Sequence, residues 1–224
     1  MTISSKKKNK VIIFGADSDL AKSMNTYFQK KYDLIGFSRS KSNKKIFNLR
    51  CNFKNKKDIF EKTKKIISKN NYISSVIILL GQFDKSQENY DKDVSDDFLI
   101  TKNILEIITK KIVKENLEIN IIVITSMDAF VPNINSFKYS IGKSSISKLL
   151  KLYKKKYKKY KLNFFEIAPG PINTKMRAKK KENKNELLQP LDIAKISFAL
   201  TEINKNVDID TIKIYPKKWS YHFN

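Results

Sequence analysis

Tyr139 and Lys143 stand four residues apart, and Ser126 lies thirteen residues before the tyrosine. Residues at i and i+4 share one helix face about a turn apart, so this pair would present a phenol and an ammonium to one point. A phenol is a poor acid at neutral pH, with a reference pKa near ~10, unless a fixed cation stabilises its phenolate. A lysine one turn away supplies that cation. A serine hydroxyl from a separate strand end could hydrogen-bond the same carbonyl oxygen that the phenol protonates. In a lysine-rich chain the Tyr-x-x-x-Lys spacing alone arises by chance, so other signals must support it.

The stretch Phe14-Gly15-Ala16-Asp17-Ser18-Asp19-Leu20-Ala21 follows a short apolar run and opens an amphipathic one. At such a strand-to-helix turn, backbone N–H groups and the helix dipole favour a pyrophosphate. Gly15, Asp17, Ser18 and Leu20 are therefore candidate cofactor contacts. Asp19 and Ala21 occupy the places where further glycines are usual. Ala21 still permits close packing, but the Asp19 carboxylate must turn away from an anion, and a plain helix cap explains the stretch almost as well. Twenty-three residues after Gly15 stand Ser38 and Arg39. No acid is present there to hold a ribose 2′-hydroxyl, whereas an arginine accommodates a 2′-phosphate. With Lys41 and Lys44 adjacent, NADP(H) is expected over NAD(H); the plainer account makes Arg39 an ordinary loop charge.

The elements that position these residues follow from apolar runs alternating with amphipathic stretches, the pattern of a parallel sheet covered by helices. Strands are expected at 11–14, 34–37, 46–49, 76–80, 119–125, 163–168 and 209–215. A first helix over roughly 19–30 would place Leu20, Met24, Tyr27 and Phe28 on one face, and the helix carrying Tyr139 continues with Ile146, Leu149, Leu150, Tyr153 and Tyr157. The gap from Phe37 to Ile46 is too short for a full helix and reads as a loop. Residues 175–189 form the long polar insertion. The expected organisation is a basic tail over 1–10 and a single α/β domain over 11–224.

Composition bounds the alternatives. The chain has 224 residues, 41% hydrophobic, with a formal charge of +24, which fits one globular core. Nearly all the excess charge is lysine, since arginine occurs only at 39, 50 and 177. It accompanies abundant Asn, Ile, Tyr and Phe, residues that share AT-rich codons. Base-reading arginine forks and a groove-entering element are absent, so no specific nucleic acid is expected. No run approaches the ~18 apolar residues that span a bilayer, and the four after the basic N-terminus are too few for a signal peptide. A single cysteine, Cys51, fits a reducing compartment and a buried inert thiol, which makes the cytoplasm the expected address. His222 is the one histidine, leaving no basis for a histidine metal site or catalytic triad, and no metal is expected.

Taken in order, these residues resemble the short-chain dehydrogenase/reductase family over nearly the whole chain. Ala168-Pro169-Gly170-Pro171-Ile172-Asn173-Thr174 is similar to the family's Pro-Gly turn beside the nicotinamide. Pro169, Gly170, Ile172 and Thr174 are its cofactor-contact candidates. Leu80-Gly81 resembles a trimmed form of the Asn-Asn-Ala-Gly turn, and Asn52-Phe53 stands where the family often has Asp-Val against the adenine. The resemblance implies a Rossmann-type doubly wound parallel sheet of about seven strands in one domain. With only the residues from Lys175 to Asn224 after Thr174, the family's extended branch, which adds a larger C-terminal substrate domain, is not expected.

The resemblance also implies roles. Tyr139 would protonate a carbonyl oxygen while hydride passes between nicotinamide C4 and the carbonyl carbon. Ser126 would hydrogen-bond that oxygen. Lys143 would hold the nicotinamide ribose and lower the phenol's pKa. Asn103 is the nearest candidate for a fourth residue holding a relay water, although its flanks do not reproduce the usual pattern. The implied activity is an NADP(H)-preferring oxidoreductase acting on a small carbonyl or alcohol. Lys175, Arg177 and Lys179 to Lys181 border the expected pocket mouth, which suits either an anionic substrate or a solvated loop. A homodimer or homotetramer is expected through helices near 94–112 and 139–157, whose Phe98, Ile104, Leu105, Ile108, Ile146, Leu149, Leu150 and Tyr153 offer more apolar surface than one sheet face readily covers. The competing readings are a catalytically idle NADP-binding sensor or interaction module and a basic nucleic-acid-binding protein.

Overall fold

The computed structural model describes residues 8–40, 47–69, 72–81, 90–131, 134–177, 182–204 and 206–222. Seven strands form one sheet: β1 (Asn9–Phe14), β2 (Tyr32–Ser38), β3 (Phe47–Arg50), β4 (Ile73–Ile78), β5 (Ile119–Ile124), β6 (Leu162–Pro169) and β7 (Thr211–Ile214). Their order is β3-β2-β1-β4-β5-β6-β7, with every pairing parallel. The strands are continuous β-branched and aromatic runs because both sheet faces are covered, leaving no solvent face to demand polar alternation. All six residues of β5, INIIVI with its one asparagine, are buried.

Five helices cover the two faces: α1 (Asp19–Phe28), α2 (Lys56–Lys69), α3 (Tyr90–Lys114), α4 (Phe137–Lys156) and α5 (Pro190–Glu202). Ile59 and Ile66 of α2, Ile104 and Leu105 of α3, and Ile146 and Leu150 of α4 join one core cluster, while Met24 and Phe28 of α1 and Ile193 and Leu200 of α5 join the other. Strand β7 is shorter than the expected 209–215, and β1 begins at Asn9, inside the expected tail. Residues 1–7, Lys41, Lys44, Ile46 and Lys179 to Lys181 lie outside the described residues.

Two expectations about helix faces change. Tyr27 is 39% exposed and meets Phe198 edge-on. The proposed association seam is largely consumed within the chain: Ile104, Leu105, Ile108, Ile146 and Leu150 are all at most 3% exposed, packed with the sheet. The long helices sit flat on the wide sheet, which covers more apolar surface than the sequence count allowed. The far end of the polar insertion is pinned at Leu188, bridged to Ile172 and accepting from the Asn173 N–H at 2.8 Å.

The strand order reverses between β1 and β4, and the crevice beyond their carboxyl ends is where such sheets bind ligands. Gly15 closes β1 there, and Leu80-Gly81 follows β4.

Candidate active site

Gly15 adopts φ +92°, a conformation that side-chain-bearing residues rarely take, and a Cβ on it would meet the Leu79 carbonyl at 3.1 Å. Its N–H and that of Ala16 both donate to the Phe37 carbonyl, tying the turn to β2. Ser18 caps α1, its hydroxyl accepting from the Ala21 N–H at 3.1 Å. Asp19 turns away, as an anion site requires: its carboxylate accepts the Lys175 N–H at 2.8 Å and pairs with Lys22 at 3.2 Å. Burial alone would raise that carboxyl, but the Lys175 and Lys22 partners outweigh it and hold it below the usual range. Asp17 accepts from the Ser40 hydroxyl at 3.3 Å, and Leu20 packs on the core beneath.

Around the second strand end, Ser38 is fully buried and paired with the Asn48 amide at 2.7 Å, while Arg39 is exposed. Phe53 belongs to the core, 5% exposed with its ring 6.3 Å from that of Phe14. The Asn52 side-chain oxygen is engaged by the Lys54 N–H. Gly170 donates to the Ile214 carbonyl at 2.7 Å, and a Cβ on it would lie 3.0 Å from Tyr215 Cβ, so this turn passes close against β7's continuation. Thr174 lines a cavity of about 480 Å³ with Asp19, Lys22, Lys175, Arg177 and Glu182. Arg177 is held by Glu182 through two contacts, one of 2.9 Å from Nε. The basic border is therefore partly neutralised.

Ser126 ends β5 in extended backbone and starts a short 3₁₀ turn, Met127–Ala129, its hydroxyl oxygen accepting the Asp128 N–H at 3.2 Å. That turn is anchored to α4 twice: Ser136 donates to Asp128 at 2.9 Å and Ser144 to the Ala129 carbonyl at 2.9 Å. These tethers bring the Ser126 hydroxyl into a hydrogen bond with the Tyr139 phenol. Lys143, one turn on, is 2% exposed, its Nζ 5.4 Å from the centre of the Tyr139 ring.

The phenol is pushed above the usual tyrosine range, chiefly by burial, with the charges of Asp128 and Asp97 acting the same way and the Ser126 hydrogen bond and Arg177 opposing. The Lys143 ammonium lies over the Tyr139 ring and donates to the Leu80 carbonyl at 2.8 Å. Burial in turn holds Lys143 below the ordinary lysine range, and Asp97 partly restores it. Asp97 is a group that sequence reasoning missed. Asn103 is two turns further along α3, half-buried, and makes no hydrogen bond with Ser126, Tyr139 or Lys143. The only hint of Asp97 was an acidic pair, Asp96-Asp97, early in a helix of a lysine-rich chain.

These residues fit a dinucleotide. The capped start of α1, following the tight turn at Gly15, aims backbone donors at the crevice. Among the described residues no group of three His, Cys, Asp or Glu could hold a metal, and no helix is long and apolar enough to cross a membrane.

The profile of the family described as short chain dehydrogenase matches residues 39–185. No curated protein matches the chain in sequence. Among solved structures, serine dehydrogenase from Escherichia coli superposes with a TM-score of 0.79 at 15% identity, over 95% of this chain and 100% of that one. A betaketoacyl-ACP reductase from Bacteroides thetaiotaomicron gives 0.80 at 19% identity, over 95% and 98%. The alcohol dehydrogenase of the archaeon Thermococcus sibiricus, complexed with 5-hydroxy-NADP, gives 0.78 at 17% identity, over 94% and 97%. At these identities the likeness is one of fold.

Proposed function

The chain belongs to the short-chain dehydrogenase family of oxidoreductases, and from that premise we propose an NADP(H)-preferring enzyme that interconverts a small carbonyl compound and its alcohol, with Tyr139 as general acid and base. The observation that carries this reading is the convergence of Ser126 and Lys143 on Tyr139: a hydroxyl bonded to the phenol and an ammonium 5.4 Å from its ring. Bound NADPH supplies the hydride. Tyr139 gives its proton to the carbonyl oxygen, a phenol being protonated at neutral pH at its reference pKa near ~10. Ser126 donates to the same oxygen, stabilising the charge that develops there. Lys143, desolvated and positioned by Leu80, holds the ribose and offsets negative charge on the phenol as it ionises. In the oxidative direction the same proton returns to Tyr139.

The exposed Arg39 supports recognition of a 2′-phosphate, and the protein named with 5-hydroxy-NADP is consistent with it. The cavity beside Thr174 supports a substrate with an anionic group, which would compete with Glu182 for Arg177. Association through α3 and α4 rests on Leu99 and Leu152, left 44% and 54% exposed. A cytoplasmic address rests on the lone buried cysteine.

A panel of aldehydes and ketones with NADPH, followed by loss of the reduced nicotinamide absorbance, tests the reading. Tyr139→Phe is expected to cost ~10²-fold or more in kcat while NADPH affinity stays within about twofold, since the hydroxyl acts on substrate and the ring only packs. NADPH binding without turnover of any carbonyl would leave a binding module in its place.

A further inference from the structure

Glu166 lies in the middle of β6, between Val123 of β5 and Thr211 of β7, and is 3% exposed. It points to the same sheet face as Phe164, into the layer under α4. An apolar residue there would cost far less, because a buried carboxylate loses its hydration and must be repaid by donors. Among the described residues no Lys or Arg pairs with it. Three hydroxyls do the work instead. Thr125 donates to Oε1 at 2.7 Å, while Ser147 and Thr211 donate to Oε2 at 2.9 and 3.0 Å. A carboxylate only accepts, so each hydroxyl must aim its hydrogen at Glu166, and the orientation of all three is settled.

The chain positions of these donors give the cluster its consequence. Thr125 immediately precedes Ser126, and Ser147 lies one helical turn after Lys143. One carboxylate therefore joins the strand end that carries Ser126 to the helix that carries Tyr139 and Lys143. The tethers from Ser136 and Ser144 tie the turn after Ser126 to the same helix.

We propose that Glu166 is a positioning residue, whose bonds to Thr125 and Ser147 set the separation of Ser126 from Tyr139. The consequence for turnover rests on the oxidoreductase reading above; the geometric claim does not. Misplacing a catalytic group by about 1 Å can cost on the order of 10²-fold in rate.

The test uses the full chain labelled with 3-fluorotyrosine, the residue-139 resonance being assigned by its loss in Tyr139→Phe. Ser126→Ala sets the shift that marks a broken Ser126–Tyr139 bond. Glu166→Gln removes the charge and exchanges an acceptor oxygen for a donor, so the hydroxyl facing the amide nitrogen must reverse and accept, in a weaker and longer bond. Glu166→Gln and Ser147→Ala are both expected to move the resonance toward the Ser126→Ala position, and Thr211→Val to leave it in place. In turnover, kcat falls about tenfold or more in Glu166→Gln with the KM for NADPH unchanged, and the double variant with Ser147→Ala is no worse than the poorer single one, because both cut one path. Should Glu166→Gln not fold, Ser147→Ala decides, since it keeps the carboxylate and two donors. An unmoved resonance in the folded variants, with only the melting temperature lowered, overturns the proposal. A wild-type protein silent toward every carbonyl would sink the oxidoreductase reading and leave the fluorine result to judge this one.

Discussion

A Cβ at Gly81 would lie 2.7 Å from Lys143 Nζ. The glycine after β4 is thus the wall against which the buried ammonium rests while it donates to the neighbouring Leu80 carbonyl at 2.8 Å. The contact is with the far end of a flexible side chain, so Gly81→Ala is expected to keep the fold and displace the ammonium. Losing one hydrogen bond to a charged group costs roughly 1.5–3 kcal/mol, or about tenfold to a hundredfold in affinity. A fluorescence titration should show NADPH binding weakened by that factor, with the circular dichroism unchanged. Unaltered affinity would remove Lys143 from the binding site.

Asp97 supplies a pH test with a definite sign. Its charge raises both Lys143 and Tyr139, against a Lys143 that burial holds low. Loss of the Lys143 proton at alkaline pH removes the cation, which gives kcat/KM an alkaline limb below the ordinary lysine range. In Asp97→Asn burial acts on Lys143 unopposed, its pKa falls further, and the limb moves to lower pH. A pH–rate profile showing the limb fixed or moved upward would exclude Asp97 from the site.

Cofactor choice turns on Arg39, exposed at the end of β2. Calorimetric titration is expected to give tighter binding of NADPH than of NADH, by about tenfold to a hundredfold for a charge-assisted phosphate contact. In Arg39→Ala the gap narrows. Equal affinities in the wild-type protein would sink the NADP(H) preference and leave the fold and the Tyr139 chemistry standing.

Cys51 is fully buried, and its thiol is pushed up to about 12, first by burial and then by the charge of Asp58. Thiolate is the reactive form, so at pH 8 alkylation by iodoacetamide should run about three orders of magnitude below that of a free thiol with pKa near ~8.5. Full reactivity should return in denaturant. Rapid labelling of the native protein would show that β3's end opens far more readily than its packing implies.

The elements and much of the candidate site were legible in the sequence because their signals are local. Tyr139 and Lys143 share a helix face by spacing alone, and continuous β-branched runs separated by amphipathic stretches describe a two-sided parallel sheet wherever they occur. The turn at Gly15 was readable for the same reason. What the tertiary structure decided is which distant groups meet there. Lys143 finds the Leu80 carbonyl, 63 residues away, as its acceptor. Asp97 comes close to Lys143 because the register of α3 against the sheet is set by where Ile104, Leu105 and Ile108 pack, and no local pattern encodes that register. Glu166 reads in sequence as a lone acid in an apolar strand. Only the parallel pairing of β5, β6 and β7 under α4 gathers Thr125, Ser147 and Thr211 around it, since hydrogen bonds reach about 3 Å in space and are indifferent to separation along the chain.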